Sequence, residues 1–275
     1  MFTLNGKGRL LPVDRPLVMG VLNRTPDSFY PGSRVTGDTQ LLTLAEKMIR
    51  EGADILDIGG QSTRPHAEQL DEEEELRRVI GAIEGLHRLW PEGIISVDTW
   101  YARVAREAVA AGARMVNDIS GGTLDPEMLS AVGRLQVPYV CMHMKGTPAT
   151  MNSEAIYDDV VKEVLDFFIR RIEDCRLAGI HDVILDPGLG FAKTAAHNFE
   201  LLRRLSIFRI AGKPLLLGVS RKSTIYRTLG ITPEEALNGT TVLHTIGLLN
   251  GADILRVHDV KEAREVITLL EAYHK

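Results

Sequence analysis

Short apolar runs and longer helical stretches alternate along the whole chain. The apolar runs cover 17–23, 53–60, 93–99, 113–121, 137–145, 182–190, 214–222 and 252–260. They are nearly continuous in Val, Ile and Leu, as in LVMGVLN and ADILDIGG. Runs of that kind predict strands buried on both faces of a parallel sheet. Between them, apolar positions recur at helical spacing over 41–50, 73–89, 102–111, 126–135, 158–177, 199–210, 240–249 and 261–273. Gly52, Gly112, Gly179, Gly212 and Gly251 follow helical stretches, where a left-handed residue ends a helix. Pro126 stands early in its helix, where a missing N–H costs little.

Eight strands alternating with eight helices predict a (β/α)8 barrel of the α/β class, for which ~250 residues is typical. An open doubly wound sheet is the alternative, but even spacing without a linker favours closure. Residues 1–16 fall outside the repeat. Their Thr3–Leu10 stretch reads as a small hairpin with an Asn5-Gly6 turn that caps the barrel bottom. The expected organisation is one domain over 1–275, with 1–16 as an N-terminal hairpin extension.

Length and composition narrow the picture. The 275 residues are 44% hydrophobic and 25% charged, an ordinary globular balance that excludes disordered, collagen-like and coiled-coil chains. No apolar run reaches the ~18 residues of a membrane span. The first nine residues lack a long apolar signal core, so secretion is not expected. Cys141 and Cys175 form no disulfide framework or metal cluster and read as buried free thiols, which suits a reducing cytoplasm. The net charge of −5 argues against a nucleic-acid binder. It leaves room for a local anion pocket.

In such a barrel the chemistry sits where the strands end. The eight runs deliver Asn23; Asp57 followed by GGQSTRP; Asp98; Asn117 and Asp118; His143 and Lys145; Asp186; Ser220 to Ser223; and Arg256, His258 and Asp259. Asp98, Asn117, Asp186 and Lys222 suit a flat heterocycle with adjacent N–H donors and ring acceptors, since a carboxylate takes two parallel N–H bonds. Arg64, Arg256 and His258 suit a diphosphate, with Asn23 able to hold a bridging divalent cation.

Plainer roles stand beside these. Asp118 and Asp259 read best as caps of the loop or helix residues next to them. Asp57 reads as a support for the second loop. His143 divides evenly between pocket wall and structural hydrogen bond. The acidic stretch 71–75 reads as a solvated helix N-terminus.

The motifs GVLNRTPDSF (20–29), DIGGQSTRP (57–65), SVDT (96–99), VNDISGG (116–122), MHMKGTP (142–148), DPGLGF (186–191), SRKS (220–223) and RVHD (256–259) stand in order on the strand ends. With them the chain resembles the dihydropteroate synthase family over essentially its full length. The resemblance implies condensation of 6-hydroxymethyl-7,8-dihydropterin diphosphate with 4-aminobenzoate to 7,8-dihydropteroate and diphosphate, through dissociative C–O cleavage. It implies Asp98, Lys222, Arg256 and His258 as catalytic residues. Asp98, Asn117, Asp186 and Lys222 match the pterin positions, with Arg256 stacked on the ring and reaching phosphate. Thr63 and Arg64 match the second mobile loop, Thr25 to Phe29 the first, and Pro65, Phe191, Lys222 and Ser223 the border of 4-aminobenzoate, whose carboxylate would meet backbone N–H groups near Ser223. Asn23 matches the Mg²⁺ end, with Asp27 a second candidate there. The resemblance also implies sulfonamides as competing ligands and a homodimer, with the faces 242–249 and 266–273 as candidates for contact.

The chain departs from the commonest pattern at Tyr30, Pro31, Gln61, His66 and Ala192, none of them a direct ligand position. Two rivals remain: a pterin-dependent methyltransferase barrel, which needs no diphosphate site, and a non-catalytic pterin binder. The NxTPDSF loop, the SRKS segment and the presence of Lys222, Arg256 and His258 favour the synthase.

Overall fold

The structure is a computed structural model that describes residues 2–24, 34–61, 69–151 and 153–275. An antiparallel hairpin comes first, β1 (Phe2–Gly6) and β2 (Arg9–Val13). The barrel strands come next: β3 (Leu17–Asn23), β4 (Ile55–Gly59), β5 (Ile94–Asp98), β6 (Met115–Asp118), β7 (Tyr139–Met142), β8 (Val183–Asp186), β9 (Leu216–Leu217) and β10 (Ile254–Val257). Their hydrogen-bonded order is β8-β7-β6-β5-β4-β3-β10-β9, every pair parallel. A parallel bridge between Leu185 and Leu215 brings β8 to β9, with the Leu185 N–H on the Pro214 carbonyl at 2.9 Å. The sheet is therefore a nearly closed barrel, as the alternation predicts.

The helices α1 (Arg34–Arg50), α2 (Glu72–Leu89), α3 (Ala102–Ala110), α4 (Met128–Leu135), α5 (Val160–Leu177), α6 (Ala195–Arg203), α7 (Ser223–Leu229), α8 (Leu237–Leu249) and α9 (Val260–Tyr273) accompany the strands. The predicted helix over 199–210 is instead α6 followed by a 3-10 stretch, Leu205–Ala211. Pro126 lies in the turn ahead of α4 rather than inside it. The seventh strand is followed by two helices, α7 and α8. The five glycines expected past helix ends all take positive φ.

Two caps show why helices begin where they do. The Asp71 side chain accepts the Glu74 N–H at 2.8 Å to start α2. The Asp159 side chain accepts the Val161 and Lys162 N–H groups, both at 2.9 Å, to start α5. Each such cap is worth ~1 kcal/mol.

The hairpin does close the barrel bottom, since Leu4 and Val13 join the interior cluster of Leu17, Met19, Ile55, Ile94 and their counterparts. Its turn, however, is Lys7-Gly8, with φ of 52° and 87°, not Asn5-Gly6. Packing sets that register. The position a Cβ would take on Gly6 lies 3.0 Å from the Arg114 Cβ and carbonyl oxygen, so this close backbone approach favours glycine. Asn5 turns its side chain to the loop and accepts the Gly8 N–H at 2.7 Å.

Candidate active site

Strand alternation builds the site. On each barrel strand the side chains of one parity point inward. Toward the hairpin these are apolar, for example Met19, Ile55, Ile94, Met115, Ile184 and Ile254. Two residues further along the same faces stand Asp57, Asn117, Asp186 and Arg256. Four residues further stand Asn23, Asp98 and His258. The opposite parity, such as Val18, Leu56, Ile95 and Leu255, belongs to the larger core between sheet and helices.

Arg256 organises one side of the mouth. Its Nε donates to Asp57 Oδ2 at 2.7 Å and its Nη2 to Asp98 Oδ2 at 2.6 Å. The Asn117 amide donates to the same Asp57 oxygen at 3.0 Å, which leaves its Oδ1 as an acceptor. Asp57 is fully buried. It therefore orients two mouth residues, Arg256 and Asn117; residues 62–68 of the second loop, which the sequence has it support, lie outside the described residues. Burial pushes the Asp98 carboxyl up, and Arg256 pulls it back. Burial works against the Arg256 charge, yet Asp57 and Asp98 hold its pKa above the ordinary value.

Asp186 and Lys222 form the other side. Asp186 Oδ1 accepts the Gly188 N–H at 2.7 Å. A Cβ placed on Gly218 would lie 3.5 Å from Lys222 Nζ and 4.0 Å from Asp186 Oδ2, so the two charges converge over that glycine. Lys222 Nζ also donates to the Leu189 carbonyl at 2.5 Å and lies 4.8 Å from the centre of the Phe191 ring. Burial pulls Lys222 down to about 8, with Asp186 opposing. Burial raises the Asp186 carboxyl, with Lys222 opposing. An apolar wall of Trp100, Ile119, Met142 and Met144 packs beside Phe191.

At the rim, His258 Nδ1 is 3.0 Å from the Ser220 hydroxyl, which also accepts the His258 backbone N–H at 3.2 Å. Nε2 of the exposed His258 has no protein partner among the described residues. Asn23 is exposed at the end of β3, and Ser223 is half-buried at the start of α7.

Other polar residues from the strand ends serve the framework. Asp118 is fully buried on the outward parity and accepts from the Tyr139 hydroxyl at 2.7 Å and from the Ser120 and Gly122 N–H groups, both at 2.8 Å. Arg221, at φ 52°, donates from Nε and Nη2 to Asp259 at 2.8 and 2.9 Å, so the chain turns Arg221 outward and Lys222 inward. Lys145 bonds Glu163 and the Ile156 carbonyl, both at 2.6 Å. His143 is structural, with its Nδ1 3.0 Å from Lys193 Nζ. Thr63, Arg64, Pro65 and Asp27, with Tyr30, Pro31 and His66, lie outside the described residues.

The sequence reading misses two residues around the site. Glu75 is not a solvated helix residue. It is fully buried, its Oε2 accepts from Gln61 Nε2 at 2.7 Å, and burial raises its carboxyl to about 7. Lys193, in the loop after β8, bridges to the end of β7, and no local pattern marks it.

The family profile of pterin binding enzymes matches residues 19–258. A dihydropteroate synthase of Escherichia coli strain K12 is 43% identical over 271 residues, covering 98% of this chain and 95% of the relative. The chain belongs to the dihydropteroate synthase family. The solved synthase of Xanthomonas albilineans with 4-aminobenzoic acid matches with a TM-score of 0.91 at 42% identity, over 99% of this chain and 98% of that one. The synthase of Yersinia pestis with a sulfonamide drug complex matches with a TM-score of 0.93 at 41% identity, over 99% of each chain. This synthase is thus a transferase of folate synthesis, on the barrel its sequence predicts.

Proposed function

We propose that the barrel mouth runs the condensation by a dissociative route, with its residues dividing the work. Asp98 and Asp186 accept N–H bonds from the pterin edge, Asn117 offers Oδ1, and Lys222 donates to a carbonyl or ring nitrogen. Arg256, whose Nε and Nη2 are fixed by Asp57 and Asp98, keeps its Nη1 for phosphate and its planar face for the ring. His258 adds a donor or acceptor through Nε2.

The C–O bond to diphosphate breaks with its electron pair leaving on diphosphate. The amine of 4-aminobenzoate then forms the C–N bond to the exocyclic carbon and releases a proton. Nothing in this scheme needs a protein nucleophile. The chain stabilises the leaving charge with Arg256 and His258 and holds the two reactants in line. Phe191, Lys222 and Ser223 border 4-aminobenzoate, with Thr63, Arg64 and Pro65 from the second loop, and sulfonamides compete there.

The exposed Asn23 side chain suits Mg²⁺, an ion that keeps several waters and substrate phosphate oxygens and needs few protein ligands. Asn23, with Asp27, would hold it. Bound there it would neutralise charge on the diphosphate.

The observation that carries the reading is the pairing of Arg256 with Asp57 and Asp98 across from Asp186 and Lys222. It is tested on the purified chain with the pterin diphosphate, Mg²⁺ and 4-aminobenzoate, monitoring diphosphate and dihydropteroate together. Both products should form only with all three additions. Pterin binding without products would favour the methyltransferase or binder reading.

No helix among the described residues is long and apolar enough to cross a membrane. The free, buried Cys141 and Cys175 suit a reducing cytoplasm. A homodimer through α8 and α9 is supported by the exposed Val242, Ile246, Leu249, Leu269 and Tyr273. Light scattering on the eluted protein should give twice the chain mass.

A further inference from the structure

The loop after β8 is held in an unusual way. Gly188, Gly190 and Ala192 take φ of 67°, 85° and 49°, so alternate residues are left-handed. A chain folded like this exposes its carbonyls in varied directions, and each needs a partner. Lys222 Nζ takes the Leu189 carbonyl at 2.5 Å. Lys193 Nζ takes the Phe191 carbonyl at 3.0 Å. The same ammonium reaches the end of β7, 3.0 Å from His143 Nδ1 and 3.2 Å from the His143 carbonyl oxygen.

Every acceptor of Lys193 is neutral. Burial, with the charges of Lys193 and Lys145, pulls the His143 pKa down to about 2, so the ring is neutral, and because the ammonium beside Nδ1 can only donate, Nδ1 accepts and the ring proton sits on Nε2. Lys193 has no ion pair among the described residues, although it is half-buried. Burial lowers its own pKa to about 7. Holding an ammonium there without a direct ion pair is costly, with only the more distant Asp186 carboxylate favouring the charge, and an apolar side chain would fill the space without that cost. The cost is understandable if the three bonds fix something the enzyme uses. They fix the Phe191 backbone, and the Phe191 ring faces the Lys222 ammonium.

We infer that Lys193 is a positioning residue for 4-aminobenzoate, holding the Phe191 wall to the end of β7 from behind the pocket. The inference rests on the reading of Phe191 as a border of the 4-aminobenzoate site. It adds that the wall's place is set by Lys193 and His143 rather than by packing alone.

The test compares Lys193→Met, Phe191→Ala and the double variant, each by KM for both substrates, kcat and thermal melting. Lys193→Met should raise the 4-aminobenzoate KM about tenfold while the pterin diphosphate KM stays within about twofold. Its effect should largely vanish in the Phe191→Ala background, because both changes act on one wall. If Phe191→Ala raises that KM and Lys193→Met does not, Lys193 has no positioning role and the reading of Phe191 stands. If Phe191→Ala itself leaves the KM unchanged, the reading of Phe191 fails, and the inference with it. A parallel rise in both KM values with a lower melting temperature would reduce Lys193 to a stabilising residue and overturn the inference. Should Lys193→Met not fold, Lys193→Gln is read by the same criteria.

Discussion

Arg256 and Asp57 lie 199 positions apart in the chain and meet at 2.7 Å beneath the mouth of the barrel. The carboxylate is fully buried, and the same oxygen accepts the Asn117 amide. One buried charge therefore sets the orientation of a guanidinium and an amide that face the proposed pterin site. Its other oxygen, Oδ1, has no partner among the described residues. In the proposed site, this pair lets Asp57 act on binding from behind the side chains that would touch substrate.

Asp57→Ala should destabilise the fold by ~3–5 kcal/mol, the usual result of stripping one partner from a buried ion pair. Asp57→Asn keeps the shape and removes the charge, so it should lose less stability but weaken pterin binding. Urea denaturation and calorimetric titration with a pterin read the two effects separately. Unchanged pterin affinity in Asp57→Asn would mean that Arg256 and Asn117 keep their places without the charge.

The proposed site divides the labour of binding between the mouth and the rim. Asp98→Asn should weaken pterin binding by ~1.5–3 kcal/mol, the worth of a hydrogen bond to a charged group. His258→Ala should act on diphosphate binding or turnover and leave pterin binding alone. Titration with pterin, and separately with the pterin diphosphate, distinguishes them. Equal losses for both ligands in both variants would mean that the site does not divide in this way.

The hairpin offers a stabilising change far from the chemistry. Lys7 is exposed and takes φ 52° beside Gly8 in a two-residue turn. Asparagine tolerates that conformation far better and forms the favoured Asn-Gly turn. Lys7→Asn should add ~0.5–1 kcal/mol, about 1–3 °C in melting temperature for a chain of this size. Calorimetry checks it, and activity should not change.

The barrel and its polar rim are legible in the sequence because both arise from period and spacing. An apolar run buried on both faces marks a strand, and its inward parity leads from Ile184 to Asp186 or from Ile254 to Arg256. The helix α7, seven residues long, is too short for a clear period. The hairpin turn is not legible, because the contact of Gly6 with Arg114 is long-range. Glu75 carries a signal, since it sits four residues before Val79 and eleven before Leu86 on the buried stripe of α2. The surrounding acidic residues conceal it. Lys193 has no such signal, because its partners come from a loop and from another strand.

Glu75 gives a prediction with a definite sign. Its carboxyl rises from 4.5 to about 7 on folding, because burial disfavours the charge. Between those values the folded chain binds the proton more tightly than the unfolded chain, so this group makes stability fall as pH rises. Below 4.5 the acid is neutral in both states and costs nothing through this route. Above about 7 the full penalty is present, ~3 kcal/mol at 1.36 kcal/mol per pH unit. Glu75→Gln keeps an acceptor for the Gln61 amide and cannot ionise. It should match the parent near pH 4.5 and exceed it by up to ~3 kcal/mol at pH 8. Urea denaturation at pH 4.5, 6 and 8 measures the difference. A gap that stays constant, or that narrows as pH rises, would mean that Glu75 is not held protonated by the fold.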